Sequence, residues 1–329
     1  MYRMQAQEPA KKRRAKMSKP AALKQESELM SLAKISHIAS ERDVARLVIN
    51  NNKVLSGNNI SGLIVTPKET KEGVDISIKL KKGTNVKKPV HMCFGVLDDR
   101  FTQKIKLKVE IEDDAHISVF GHCIFPKAVK VKHFMDGKIN IGKNSSFNYF
   151  ERHLHSDTGG VEVYPKAVVN VGRNSRYKTE FELLKGRVGL IDIDYETFGE
   201  ENSKADMIAR ISAYGDDIIK VKEHSILNGD NSAAVLRSRV AVRDDAKAEV
   251  FNRIIAKGAY SRGHVDCTEI LHGKGSVKAY PEVEVLHPKA RVTHEAKLGG
   301  IDNKQLETLM ARGLSEQEAE EIIIEGLLS

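Results

Sequence analysis

One cysteine of this chain has neighbours that could bind a metal. Cys267 follows His264 and Asp266 closely, and an adjacent pair, His294-Glu295, comes later in the chain. A thiolate is the usual protein ligand of iron–sulfur clusters and accepts sulfur as a persulfide. The pattern indicates iron or sulfur chemistry at Cys267, His294 and Glu295, with Asp266 and His264 as additional candidate metal ligands.

The spacing of these residues predicts how they meet. Glu295 lies 28 residues after Cys267, which suits neighbouring turns of a solenoid and would stack both side chains on one face. Adjacent side chains of a strand point to opposite faces, so His294 and Glu295 cannot both face inward. The alternative is a small buried cysteine, a surface carboxylate and a core histidine.

The other cysteines and one histidine pair give weaker signals. Cys93 and Cys123 have no partner at metal-ligand spacing and are interpreted as core residues. His153 and His155 share one face of a predicted strand, as a solvated pair or a two-histidine metal site. Three distant cysteines without a CxxC pair form neither a disulfide framework nor a zinc ribbon.

The positive charge is concentrated at the N-terminus. Residues 1–24 hold eight Lys/Arg and one Glu, and so carry +7 of the formal net charge of +8. The balanced remainder argues against a nucleic-acid-binding surface. No apolar run is long enough to span a membrane, and no apolar stretch follows the basic segment. We therefore expect a cytoplasmic protein that binds neither nucleic acid nor membrane.

Two kinds of periodicity divide the chain. Residues 1–20 are expected to form a disordered basic tail. Apolar residues at helical spacing from Leu29 to Val48 predict two short helices, broken near Ser40, in an N-terminal helical segment at 21–60. Short alternating runs such as Ile105-Lys-Leu-Lys-Val-Glu-Ile111 then predict strands over 61–298.

The strand region repeats short phrases. Pro-Lys-Ala followed by alternation occurs at 126–128, 165–167 and 288–290, and Asp-Asp-Ala occurs at 113–115 and 244–246. Each phrase reads as a turn followed by a strand of about five residues. Stacked copies bury a face that one copy cannot bury alone, so the pattern favours an all-β core, a parallel β-helix, over a β-sandwich.

Residues 299–329 return to helical spacing. Gly313 is predicted to end a first helix, and Ser315-Glu-Gln-Glu318 is a capping box that starts a second one. The apolar stripe of the second helix is predicted at Ala319, Ile322, Ile323 and Leu327. The segment would cap the open end of the solenoid, dock a partner, or do both. The candidate docking residues are Gln305, Leu306, Leu309, Arg312, Ile322 and Ile323.

These C-terminal motifs together resemble the SufB/SufD family. The matching stretches are Gly258-Ala-Tyr-Ser-Arg-Gly263, Asp266-Cys267, His287-Pro-Lys-Ala-Arg-Val-Thr-His-Glu-Ala296 and Arg312-Gly-Leu-Ser-Glu-Gln-Glu-Ala319. The resemblance covers about residues 105–329. It is to the SufB type, because SufD-type members lack this pairing of Cys and Glu, and to the minimal archaeal and anaerobic-bacterial versions.

The resemblance implies a right-handed parallel β-helix with short α-helical segments at both ends. It implies a scaffold rather than an enzyme, on which a nascent, labile iron–sulfur cluster of the 4Fe-4S type is built and passed to acceptor proteins. It also implies four kinds of partner: a SufC-type ABC ATPase on the C-terminal helices, a second copy or a SufD-like subunit, a sulfur donor, and the acceptors.

Two other functions fit parts of the sequence. A SufD-like structural partner would bind the ATPase without holding a cluster. A carbohydrate lyase or hydrolase on a β-helix would use paired acids such as Asp192 and Asp194, which share a strand face. The aromatic content of 5% and the absence of Trp count against a sugar-binding groove.

Overall fold

The structure, a computed structural model, describes residues 19–328. Over that range the chain coils into a parallel β-solenoid of about eight turns, with short helices at both ends. The prediction of a parallel β-helix with helical ends is confirmed. None of the described helices combines the length and the apolar character needed to span a membrane.

Three α-helices and one 3₁₀ helix flank or precede the strands. They are α1 (Lys19–Leu32), the 3₁₀ helix (Ser36–Ser40), α2 (Asn303–Met310) and α3 (Glu316–Leu328). The strands are β1 (Arg46–Asn50), β2 (Lys53–Asn58), β3 (Leu63–Glu69), β4 (Gly73–Leu80), β5 (Val90–Gly95), β6 (Arg100–Ile111), β7 (His116–Phe125), β8 (Lys130–Ile141), β9 (Ser146–His155), β10 (Val161–Val171), β11 (Arg176–Leu183), β12 (Leu190–Gly199), β13 (Lys204–Ala213), β14 (Ile218–Leu227), β15 (Ala233–Val242), β16 (Lys247–Ala256), β17 (Arg262–Leu271), β18 (Ser276–Val285) and β19 (Arg291–Gly299).

Each turn of the solenoid contributes one strand to each of two sheets. One sheet has the order β19-β17-β15-β13-β11-β9-β7-β5-β1-β2, and the other has the order β18-β16-β14-β12-β10-β8-β6-β4-β3. From β6 onward, paired residues on neighbouring turns are 28 to 30 positions apart. Residues that face inward on one turn therefore stack on inward-facing residues of the next.

The core lies between the two sheets, and strand alternation builds it. In β12, Ile191, Ile193 and Tyr195 are buried while the residues between them are only half-buried. Because the side-chain period of a strand is two, every second residue enters the core. Burial of such apolar surface is worth about 25 cal/mol per Å², so the continuous stack is the main source of stability.

One corner of the solenoid is held by a ladder of asparagine and aspartate side chains. Asp114, Asn144, Asn174 and Asn202 all have φ near +55°, a conformation that Asn and Asp tolerate better than most residues. The Asn144 amide donates to Asp114 (3.0 Å), Asn174 to Asn144 (3.1 Å) and Asn202 to Asn174 (3.0 Å). Of the repeated phrases, Asp113-Asp-Ala115 lies at this corner, whereas Asp244-Asp-Ala246 lies at another corner, between β15 and β16.

The structure corrects two details of the predicted repeat. Strands from β6 to β18 are 8 to 12 residues long, about twice the expected length. The three Pro-Lys-Ala phrases are not equivalent, because 126–128 and 288–290 lie in turns while 165–167 lie inside β10. The phrase is thus compatible with both a turn and a strand.

The N-terminal prediction is partly wrong. Residues 1–18 of the predicted basic tail lie outside the described residues, and Lys19 already begins α1. The predicted second helix is absent from the described range, because 46–50 and 53–58 form β1 and β2. The run Arg46-Leu-Val-Ile-Asn50 pairs with β5, so sheet pairing overrides the helical spacing and the solenoid begins before residue 61.

The C-terminal segment holds the two predicted helices. Gly313 has φ of +94°, and the capping box forms, since the Ser315 N–H donates to Glu318 Oε2 (2.9 Å). The predicted apolar stripe is partly wrong. Ala319 is buried as predicted, but Ile322 is exposed, and the other buried residues of α3 are Ile324 and Leu328. These pack against the outer side of β13 and β15, with Ala241 among their contacts, so α3 lies on the side of the solenoid.

Candidate functional site

Cys267 lies in β17 and points into the core. Its side chain has 0% exposure, and the Asn252 amide donates to its Sγ at 3.6 Å. Burial raises the pKa of the thiol to about 11. With this pKa the thiol of Cys267 is protonated at neutral pH. Because metals bind the thiolate, the buried Cys267 is not a metal ligand in this conformation.

The predicted stacking of Cys267 and Glu295 is wrong. Ala296 pairs with Cys267, and Glu295 pairs with Asp266, because the rung here is 29 residues long rather than 28. His294 pairs with the buried Val265 and therefore faces inward, on the same side of the sheet as Cys267. The histidine of the pair, not the glutamate, shares the face of the thiol.

Asp266 and Glu295 lie on the outer face. Asp266 forms ion pairs with Arg239 (2.5 Å) and Arg237 (3.3 Å), and Glu295 forms one with Lys297 (2.9 Å). Burial tends to raise the pKa of Asp266, but the hydrogen bonds and charges of Arg239 and Arg237 outweigh it and lower that pKa. Asp266 is thus an ionised carboxylate whose charge is balanced by two arginines, and it lies on the face of the sheet opposite to Cys267.

His264 also lies on this outer face. Its Nδ1 is 2.9 Å from the Thr293 hydroxyl of the next turn. His264 and Asp266 alternate with the buried Val265 and Cys267, so neither can share a metal with the Cys267 thiol while β17 keeps this geometry. The structure does not bring these two candidates together with Cys267.

Cys267 is surrounded by buried polar residues that were not predicted from the sequence. We name Cys267, Ser238, Asn252 and Glu269 the Cys267 cluster. The Ser238 hydroxyl donates to Glu269 Oε1 (2.9 Å), and burial raises the pKa of Glu269 to about 7. Asn252 Oδ1 and Glu269 Oε2 have no hydrogen-bond partner among the residues that the structure describes. Polar residues at inward positions of the alternating pattern were the available signal.

The solenoid is open next to the Cys267 cluster. Among residues 19–328, β18 and β19 are the last strands of their sheets and pair on one edge only. Side chains that would be buried on an inner turn are uncovered here, with Leu298 52% exposed and Val285 48% exposed. A single layer, in which Ala296 covers Cys267, separates the thiol from this open end.

The described residues contain no assembled metal site at this end. Over 19–328, no group of three Cys, His, Asp or Glu ligand atoms within 4.8 Å includes Cys267, His294 or Glu295. A cluster could be held here only after β19 moves or a second protein supplies ligands.

The candidate docking residues are divided between two environments. Gln305, Arg312 and Ile322 are exposed, whereas Leu306 and Leu309 of α2 and Ile323 of α3 are half-buried. α2 buries none of its residues fully, and Met310 is 41% exposed. Since α3 uses Ile324 and Leu328 against the solenoid, Ile322 and Met310 remain as apolar side chains open to solvent.

Comparisons with known proteins agree on one family. A family model described as the SufBD core domain of the SUF system for FeS cluster assembly matches residues 97–327. An iron–sulfur cluster assembly SufBD family protein of Methanocaldococcus jannaschii is 39% identical over 86% of this chain and 90% of its own length. Another from Pyrococcus horikoshii is 33% identical over 87% of each chain. The assembly protein SufB of Bacillus subtilis is 38% identical over 22% of this chain and 16% of its own.

Proposed function

We propose a scaffold function for this chain, which belongs to the SufBD family of iron–sulfur cluster assembly proteins. Family membership supports involvement in cluster assembly. Our proposal is that the chain holds a nascent, labile 4Fe-4S cluster as cargo and passes it to acceptor proteins, without being an enzyme itself. The observation that carries it is the position of Cys267, one strand layer from an uncovered solenoid end, with His294 on the same face.

The buried thiol requires a conformational step. Within residues 19–328, β19 pairs only with β17 and has no strand on its outer edge, so lifting it breaks one ladder rather than two. Terminal turns of a solenoid have one neighbour and are its least stable part. We propose that displacement of β19 exposes Cys267 as sulfur acceptor and iron ligand, and that His294 and Glu295, which β19 carries, supply nitrogen and oxygen ligands from the displaced strand.

A second copy of this chain is the proposed cover of the open end. β19 contains no proline and presents an unpaired edge of nine residues, a geometry that favours pairing with another strand. The exposed Leu298 and Val285 lie beside that edge and provide apolar contact area. A SufD-like subunit is the other proposed occupant, and both place the Cys267 cluster next to the interface.

The C-terminal helices are the proposed docking site of a SufC-type ABC ATPase. α2 and α3 pack on each other, and the exposed Met310 and Ile322 leave an apolar surface on them. Only the short segment 300–302 connects β19 to α2. Movement of α2 by a bound ATPase would therefore pull directly on β19, the strand that covers Cys267.

Anaerobic purification, alone and with the ATPase, tests the scaffold. Iron, acid-labile sulfide and visible charge-transfer absorption are measured in the wild type, in Cys267→Ala and in Cys93→Ala. Cys93 is a matched control, because it is also fully buried but packs in the separate core under α1. We expect iron and sulfide in the wild type and in Cys93→Ala, and neither in Cys267→Ala.

A SufD-like structural role is the second candidate, and the burial of Cys267 favours it. In that case the chain would bind the ATPase normally but carry no iron or sulfide in any variant. Comparable circular dichroism and unfolding midpoints for the three proteins would show that loss of iron is not loss of fold. Retention of the cluster by Cys267→Ala would contradict the assigned site.

A further inference from the structure

A second buried group of potential metal ligands lies in the N-terminal half of the solenoid. We name Cys123, His133, Glu151 and His153 the Cys123 cluster. Cys123 Sγ, a Glu151 oxygen and a His153 nitrogen lie within 4.8 Å of one another, and all three residues are buried. His133 Nε2 is 3.7 Å from Cys123 Sγ, and its side chain is also fully buried.

The hydrogen bonds around the cluster fix which ring nitrogens are free at His133. The Gln103 amide nitrogen donates to the Asn51 and Gly95 carbonyls, so Gln103 Oε1 must accept from His133 Nδ1 (2.8 Å). Burial lowers the pKa of His133 to about 3, which keeps the ring neutral. Its Nε2 lone pair therefore points at Cys123.

The same reasoning applies to His153. A carbonyl only accepts, so His155 Nδ1 donates to Arg187 O (3.1 Å), and the neutral His155 Nε2 accepts from His153 Nδ1 (3.1 Å). His153 Nε2 then faces Glu151 Oε1 at 2.7 Å, with one proton shared between them. Both histidines thus direct Nε2 inward while Nδ1 donates to a supporting group, as ligating histidines do.

Glu151 has unused bonding capacity in this interior. Its side chain is 1% exposed, and no group in the described part of the chain, 19–328, forms a hydrogen bond with its Oε2. A buried carboxylate oxygen without a partner costs free energy unless something compensates it. A divalent cation that displaces this shared proton and the proton of the Cys123 thiol would bind Glu151, His153 and the Cys123 thiolate, with both protons released to solvent during folding.

Two of the distances in the Cys123 cluster suit a tetrahedral ion. Cys123 Sγ is 3.7 Å from both Glu151 Oε1 and His133 Nε2. Ligand atoms about 2.0–2.3 Å from a tetrahedral centre are separated by about 3.3–3.7 Å. The short pair Glu151–His153 would widen when the proton leaves. His133 lies outside the group whose ligand atoms are all within 4.8 Å of one another, so its ring has to move toward Glu151 and His153 to become the fourth ligand.

We propose that the Cys123 cluster is a structural site for one divalent transition metal of the Zn²⁺ or Fe²⁺ type. One thiolate, two imidazoles and one carboxylate form a borderline-soft set that suits these ions and not Mg²⁺ or Ca²⁺. The ion would enter during folding, because the ligands are sealed in the solenoid, and it would tie β7, β8 and β9 together.

Refolding with metal tests this site separately from the scaffold. The full chain is unfolded with a chelator, refolded anaerobically with Co²⁺ or Zn²⁺, and dialysed, after which bound metal is measured. The variants are Cys123→Ser, His133→Gln, Cys267→Ser and Cys93→Ser. We expect one metal per chain in the wild type, with thiolate–Co²⁺ absorption, and the same in Cys267→Ser and Cys93→Ser.

Loss of the metal and of its absorption is expected in Cys123→Ser and His133→Gln, while circular dichroism shows that both fold. The wild-type unfolding temperature should also rise with Co²⁺ and that of Cys123→Ser should not. Absence of tightly bound metal in the refolded wild type, or equal binding by Cys123→Ser, would overturn the proposal. Neither result depends on whether Cys267 carries a cluster.

Discussion

The Cys123 and Cys267 clusters pair the same two groups, a buried thiol and a buried glutamate, in opposite charge states. At Glu151, burial opposes ionisation, but the hydrogen bond and charge of His153 outweigh it and lower the pKa. At Glu269, Ser238 and Arg239 do not offset burial, and the pKa rises to about 7. The presence of histidine therefore determines which glutamate is ionised. The ionised glutamate is Glu151 of the Cys123 cluster, which lies deep inside the solenoid.

The two clusters also differ in their distance from solvent. The Cys123 cluster has several turns on either side of it, whereas a single strand layer covers the Cys267 cluster. The same solenoid thus holds one cluster deep in its interior and one that, in our proposal, becomes accessible when the terminal strand moves. Substitutions in and around each cluster test this contrast.

Replacing His153 by Ala should cost the metal-free protein about 3–5 kcal/mol in free energy of unfolding, because Glu151 loses the partner of its buried charge. Asn252→Ala in the Cys267 cluster should cost only about 1–3 kcal/mol, since it removes a neutral donor. Urea denaturation measures both values. Equal losses would mean that the two interiors do not differ in charge.

Cys267 should react with a small alkylating reagent at least about 100-fold faster than Cys123 under native conditions. The reason is that terminal turns open at lower free energy than inner turns. Peptide mass spectrometry of a labelling time course separates the cysteines. Equal rates for both thiols, at the rate of global unfolding, would show that β19 does not open independently.

Glu223, near the Cys267 cluster, should make stability fall as pH rises. Burial raises its pKa from 4.5 to about 8, so between these values the folded state holds a proton that the unfolded state has released. Free energy of unfolding then decreases with pH, by up to about 1.4 kcal/mol per pH unit.

Glu223→Gln removes this proton difference and should flatten the dependence in urea midpoints measured from pH 5 to 8. Glu282→Gln is the control, because that side chain is 62% exposed. An unchanged pH dependence in Glu223→Gln would mean that Glu223 is ionised in the fold. Glu151 has the opposite sign, since its lowered pKa stabilises the fold above its unfolded value and loses that effect on acidification.

The smallest effect is expected at the uncovered end. Leu298→Ala should change the free energy of unfolding of the monomer by less than about 0.5 kcal/mol, because the side chain is already 52% exposed. Leu236→Ala, two strands inward in the same sheet and fully buried, should cost about 2–5 kcal/mol. A large loss in Leu298→Ala would show that another surface covers this end.

The sequence predicted the solenoid well because the signal is repeated. Period-two alternation identifies which side of each strand is buried, and turn phrases mark several of the corners. The predicted helix around Val44, Leu47 and Val48 failed because a few apolar positions fit both periods, and only pairing with β5 decides between them.

The predicted stacking of Glu295 on Cys267 failed on a single residue of register. A separation of 28 places Glu295 over Cys267, but the rung is 29 residues long, and a one-residue slip moves every side chain to the other face. The matched turns Gly229-Asp-Asn-Ser and Gly258-Ala-Tyr-Ser are 29 residues apart, but they measure the rung from β15 to β17, one turn before the rung in question. Which buried polar residues surround Cys267 could not be derived, because it depends on the facing sheet.

The stacking of each turn on the turn before it also sets an order of assembly. A ribosome releases the chain from its N-terminus, and from β5 onward each new strand needs only the strand already in place in its own sheet. The growing solenoid can therefore serve as its own template during synthesis. The turn around the Cys123 cluster closes early. β19, the strand that covers Cys267, is added last, and no later strand within residues 19–328 pairs with its outer edge.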